Sequence, residues 1–260
     1  MTSRTFTVVR AVLLLAFATY FALPLLAMLD FSTRARGDAE GRTWDAWTNL
    51  VADDMLRESI IASVLLALLT VAGMVVLLVP TMIWVRLRLP HLNRLVEFLC
   101  LLPLAIPALV IVVGIANVYS WVTYLFGDSP LTLTFAYVVL VLPYAYRSLD
   151  ASLGAIDLVT LSEATRSLGG TWFTVIVRVV LPNIVPGVMG AAFISIALVL
   201  GEFVFASLLN FVTMPVALAQ IYKYDAATSV AGSFASIVVI SLALLALSFV
   251  GRDRRKGQTS

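Results

Sequence analysis

The sequence predicts an all-α integral membrane protein with six transmembrane helices and a two-helix cytoplasmic loop between the fourth and fifth. Three observations carry that expectation. Residues of the set AVILMFWYC make up 61% of the 260-residue chain and DEKR only 12%, where soluble domains run at roughly 45–50% and about 25%. Mean hydropathy is +1.02. The apolar residues also gather into six runs near the roughly 20-residue length that crosses a bilayer. Folded in water, such a chain would expose more apolar surface than a soluble monomer tolerates. A net charge of +2 is too small to imply nucleic acid as a partner. One cysteine, Cys100, excludes an internal disulfide framework, and the lone histidine, His91, excludes a paired-histidine metal motif. No metal site and no catalytic residue is expected.

The runs cover residues 8–28, 60–85, 95–121, 131–146, 184–209 and 233–250. The fourth is short by this measure. The first follows Arg4 and Arg10 and so resembles a signal peptide. Its apolar stretch exceeds the usual core, and no small-residue cleavage site precedes Asp30, so it reads as a retained helix. These runs divide the chain into a first helix with a polar outer loop (1–57), a core domain (58–250) and a basic cytoplasmic tail (251–260). The outer loop places Trp44 and Trp47 where interfacial anchors often sit.

Orientation follows from the basic residues. With the N-terminus inside, inner segments hold twelve: Arg4, Arg10, Arg86, Arg88, Arg94, Arg147, Arg166, Arg178, Arg252, Arg254, Arg255 and Lys256. Outer segments hold five: Arg34, Arg36, Arg42, Arg57 and Lys223. The excess places both termini in the cytoplasm. Most acids, among them Asp30, Asp38, Glu40 and Asp128, fall outside.

The inner loop, residues 148–182, is too long for a turn and too apolar for a disordered linker. Leu153, Ile156, Leu161, Ala164 and Leu168 form an approximate helical stripe. Thr160 and Glu163 fit a capping box, and Gly169-Gly170 predicts the stop. Thr171 is a plausible cap for a second helix, 172–180, which Leu181-Pro182 ends. On architecture alone, this bracket either plugs into a partner's groove or packs against its own helix ends.

Its residues resemble the permease subunits of type I binding-protein-dependent ABC importers. Their cytoplasmic signature is Glu-Ala-Ala, three residues, Gly, nine residues, Ile-x-Leu-Pro. Here Glu163, Ala164, Gly169, Leu181 and Pro182 match five of the seven positions, Val179 is a conservative change, and Thr165 is the clear departure. The larger Thr165 brings tight packing there into question. The resemblance covers roughly residues 58–250: Glu58-Ser59-Ile60 is similar to the Asn-Ser-Leu that opens the family's second helix, and Pro80 with Arg86 to the Gly-x-Pro…Arg that closes it.

The resemblance implies that Glu163, Ala164, Thr165 and Gly169 form an ATPase-facing coupling element, with Leu181-Pro182 as the return to the membrane. It implies as partners an ATP-binding cassette ATPase dimer, a second permease (homologous or identical) and an extracytoplasmic solute-binding protein, in a prokaryotic inner or plasma membrane. The chain has no glycine-rich phosphate loop. No cofactor is therefore expected in it, and the ATPase would bind ATP and Mg. Two readings of Glu163 stand: it caps its own helix, or it contacts the partner.

One acid, Glu202, sits deep inside a run, beside Gly201. An intramembrane charge is a functional hypothesis by default. Glu202 either bonds a neighbouring helix or lines the path or its outer gate, and Asn117 is a second path candidate. The segment 201–209 looks most like permeases of the polyamine, phosphonate and ferric-ion branch. An anionic side chain near the path favours a cationic solute, so a polyamine leads. Phosphonate, oxyanion, ferric ion or sugar are the alternatives within the class. An intramembrane protease lacks a base in the bilayer. A secondary transporter or channel is the rival, against which stand one intramembrane acid and no clear inverted repeat.

Overall fold

The computed structural model describes residues 3–35 and 41–256, with the side chains of 3–5, 244 and 246–256 excepted. Arg36, Asp38 and Glu40 of the outer loop and residues 257–260 of the tail lie outside the described residues, as do the side chains of Arg4, Arg252, Arg254, Arg255 and Lys256. The described residues are helical, with no strand among them. Five helices are long and apolar enough to cross a membrane, and a sixth span results if the pair Trp172–Asn183 and Val185–Gly201, bent by 75°, counts as one.

Residues 1–57 and 217–242 form one compact unit. It contains α1 (Ser3–Ser32) and α2 (Asp45–Ala52). Along α1 the apolar side chains point outward, as suits a helix facing lipid or another chain. The outer loop is tied down: Asp30 accepts from Arg34 at 2.5 Å and from Arg42 at 2.9 Å, and Trp47 Nε1 donates to Ser32 Oγ at 3.2 Å. Ala46 of α2 packs with Ala227 and Ala231, and the Trp47 ring meets Phe234 edge-on at 6.2 Å. Trp47 is thus a packing residue, whereas Trp44 is exposed.

Residues 58–216 make up most of the second unit. Its helices are α3 (Asp54–Arg88, beginning in the first unit), α4 (Asn93–Ala105), α5 (Ala108–Phe126), α6 (Thr134–Gly154), α7 (Leu158–Ser167), the short α8 (Trp172–Thr174) and α9 (Leu181–Asn183), α10 (Val185–Gly201) and α11 (Val204–Leu208). Helix α12 (Met214–Ile221) leads out of it, and α13 (Ala226–Lys256) follows. At about 1.5 Å per residue, the 35 residues of α3 exceed the hydrocarbon thickness. The core of this unit includes Leu66, Met74, Ile83, Tyr137, Leu149 and Ile184, all at most 1% exposed.

Two spans differ from the sequence expectation. The run 95–121 is two helices, because Ile106 is extended (ψ 124°) and Pro107 follows at ψ 139°. A residue before proline is pushed out of the helical region, so the proline separates helices instead of kinking one. The run 184–209 breaks at Glu202, extended at ψ 117°, before α11 restarts the helix.

The helices flanking the inner loop pack at close range. Ser148 Oγ of α6 donates to the Gly187 carbonyl of α10 at 2.9 Å. A Cβ on Gly187 would meet the Ser148 carbonyl oxygen at 2.9 Å, and one on Gly190 the Ser148 hydroxyl at 2.6 Å. Small residues at this spacing let backbones approach where lipid supplies no hydrophobic drive.

Candidate functional site

The inner loop folds into a hook. Helix α7 starts at Leu158 because Asp157 caps it: Thr160 N–H donates to Asp157 Oδ1 at 3.1 Å, and the Thr160 hydroxyl to Oδ2 at 2.7 Å. These donors, the hydroxyl foremost, hold the Asp157 carboxyl below its ordinary range. The cap therefore sits three residues before the expected Thr160–Glu163 box. The N–H of Thr160 is engaged by Asp157, and the exposed Glu163 side chain makes no hydrogen bond or ion pair among the described residues.

The buried face of α7 holds Leu158 and Ser162, 6% and 4% exposed. Ala164 and Leu168, expected in the apolar stripe, point outward, and Leu168 is 90% exposed. Leu153 is buried within α6. The buried face of α7 is thus set by Leu158 and Ser162, four residues apart, and not by the apolar stripe. Val159, Glu163 and Arg166 are exposed on α7, as are Leu168 just before the Gly169 turn and Phe173 after it.

Gly169 makes the turn at φ +82°. Its N–H donates to the Arg166 carbonyl at 3.0 Å, and the Gly170 N–H to that of Thr165 at 2.9 Å, the paired bonds of a Schellman cap. A Cβ on Gly170 would lie 2.7 Å from Thr165 Cγ2, so the larger Thr165 is accommodated by a glycine opposite it. Thr171 caps the next segment, accepting from Thr174 N at 3.3 Å. That segment does not stop at Leu181-Pro182. It widens to π geometry over Val175–Val180 and runs through Asn183. A wider turn before a residue without an N–H lets the chain stay helical past the proline. The bend falls at Ile184, which is fully buried.

The hook is fastened to the bundle by Trp172. Its ring meets Trp84 of α3 edge-on at 5.6 Å, with the Arg88 guanidinium 4.7 Å and that of Arg166 5.0 Å from its centroid. Beside it, Arg86 of α3 pairs with Asp150 of α6, and Arg147 of α6 with Glu97 of α4 at 3.1 Å.

Among the path candidates, Glu202 is half-buried at the helix break, where its Oε1 accepts from the Phe205 N–H at 2.9 Å. It bonds the next turn of its own chain, not a neighbouring helix. No side chain or distant backbone lies within 4 Å of a Cβ built on Gly201. Asn117 is exposed on α5, and neither it nor Glu202 lines the two cavities beside that helix.

Residues 82–254, well over half of the chain, match the family of the binding-protein-dependent transport system inner membrane component. The chain belongs to this family. The permease is 25% identical over 132 residues to the spermidine/putrescine transport system permease protein PotC of Escherichia coli K12, and to that of Escherichia coli O157:H7 to the same extent. The match covers 49% of this chain and 50% of those proteins, so the chain spans about half the length of the curated relatives it matches. A solved structure of a bacterial ABC transporter involved in the import of the acidic polysaccharide alginate superimposes with a TM-score of 0.65. The alignment covers 93% of this permease and 94% of that chain at 15% identity, and this likeness concerns the fold.

The family assignment agrees with the resemblance read from residues 163–182 of the permease. Sequence reasoning missed Asp157 and Trp172. Asp157 was findable, since an acid three residues before Thr160 is an N-cap signal. Trp172 was not, because its partners Trp84 and Arg88 lie far away in sequence.

Proposed function

We propose that this chain forms half of the translocation path of an ATP-driven solute importer, with both termini cytoplasmic and a polyamine as the class of solute. The reading rests on one observation. The outward face of the hook, with Val159, Glu163, Leu168 and Phe173, is exposed, while its back is buried and clamped by Trp172. An apolar face centred on an unpaired carboxylate suits a protein groove. A separate ATPase seated there would close on binding ATP, and the hook would pass that movement to α6 and α10 as a rigid-body shift. A second permease would complete the path, and a solute-binding protein would deliver the cargo. Polyamine is favoured by the match to the PotC sequences and by the carboxylate at the break in the fifth span.

The test is co-purification of the assembled transporter carrying Glu163→Arg. Expected are a weakened association with the ATPase and loss of solute-stimulated ATP hydrolysis, with membrane insertion unchanged. Wild-type stimulation in that variant would overturn the docking assignment.

A further inference from the structure

Beyond the hook and Glu202, the bundle holds a cavity of about 560 Å³ at the end of α5, lined among others by Tyr119, Ser120, Thr123, Tyr124, Asp128 and Phe211. Its volume falls in the range of small-molecule sites. Its chemistry is one-sided. None of its lining residues is basic, and Asp128 makes no ion pair and accepts no hydrogen bond among the described residues. The hydroxyl protons of Ser120 and Thr123 are already committed: Ser120 Oγ donates to the Asn117 carbonyl at 2.6 Å, and Thr123 Oγ1 to that of Ser120 at 3.0 Å. What these two side chains can still offer an occupant is their oxygen lone pairs.

Aromatic surface supplies the rest. Tyr119 and Phe211, both buried, meet edge-on at 6.0 Å, and Tyr124 is 80% exposed. The Tyr119 hydroxyl has no partner of ordinary hydrogen-bond geometry among the described residues. Helix α5 ends at Phe126, so its final carbonyls bring the negative end of the helix dipole to the same place. A carboxylate, acceptor oxygens, ring faces and a helix C-terminus all favour a cation that donates hydrogen bonds, as an alkylammonium does.

We propose that this cavity binds an organic ammonium ion, as a station on the permease for the cationic solute. The solute part of this rests on the function proposed above. An aminophospholipid headgroup carries the same ammonium chemistry, so the experiment separates the two sources.

Equilibrium binding of radiolabelled spermidine is measured on the full-length chain in non-ionic detergent, with and without added phosphatidylethanolamine. The expected result is saturable binding that weakens at least tenfold in Asp128→Asn and at least threefold in Tyr124→Ala. Glutarate and sucrose should not compete. Competition by phosphatidylethanolamine, lost in Asp128→Asn, would assign the ammonium to lipid. Absence of saturable binding, or unchanged affinity in both variants, would overturn the site. ATP-driven uptake by the assembled transporter is scored separately. Uptake that persists while spermidine binding fails removes the cavity and leaves the importer standing, whereas loss of ATP dependence with spermidine binding intact does the reverse.

Discussion

Arg88 places its guanidinium 4.7 Å from the ring centroid of Trp172, joining the last residue of α3 to the first of α8. The Arg166 guanidinium of α7 lies 5.0 Å from the same ring. One indole of α8 therefore contacts both α7 and the end of α3.

Replacing Trp172 with alanine removes two cation–π contacts and one aromatic pair, together worth roughly 2–3 kcal/mol. The expected outcome is a lowered unfolding midpoint in detergent, and ATP hydrolysis that no longer responds to solute. Trp172→Phe, which keeps a ring, should recover part of both. A Trp172→Ala variant that melts like the wild type would show that the clamp contributes nothing.

At Gly169 the positive φ costs a side chain about 1–2 kcal/mol. Gly169→Val should loosen the hook, seen as faster amide exchange in α7, and Gly169→Asn should do so less, because asparagine tolerates this region. Equal exchange in wild type and Gly169→Val would show that the turn does not set the order of α7.

Two substitutions of Glu202 separate charge from capping. Glu202→Gln keeps an oxygen for the Phe205 N–H and loses the charge, and Glu202→Leu loses both. Impaired uptake in Glu202→Gln is expected if the carboxylate faces the solute. Normal uptake in that variant with failure in Glu202→Leu would leave it a capping role alone.

Asp157 has a depressed carboxyl pKa, from the Thr160 hydroxyl first and its N–H second. A depressed value means that the carboxylate's contribution is complete above its ordinary 3.8 and is lost as pH falls through the folded-state value. The Thr160 amide resonance should move in that acidic window and stay flat in Asp157→Asn. A Thr160 titration near neutral pH would contradict the assignment.

Helices and turns of this chain were legible where chemistry is local. Apolar runs placed the spans, Gly169-Gly170 the sharp turn, and Thr171 the second cap. The phase of α7 was misplaced because Thr160 and Asp157 are both good caps, and the Thr160–Glu163 spacing competes with the signal of the acid before it. The break at Ile106-Pro107 lies inside what the sequence offers as one continuous run, 95–121, because a proline inside a long apolar run is compatible with a kink or a break. Trp172 and the cavity beside Tyr119 depend on residues from distant helices, as with Trp84 and Phe211, and no local pattern announces such meetings.

The seam between Ser148 and Gly187 has a mechanical consequence. Two helices that leave no room for one extra carbon at Gly187 are expected to tilt together, α6 with α10, as a single beam. Flexure has to be found where the backbone is already interrupted, at Ile184, at Ile106-Pro107 and at Glu202. Crosslinks at those three joints, not along the seam, are the ones that would freeze the machine.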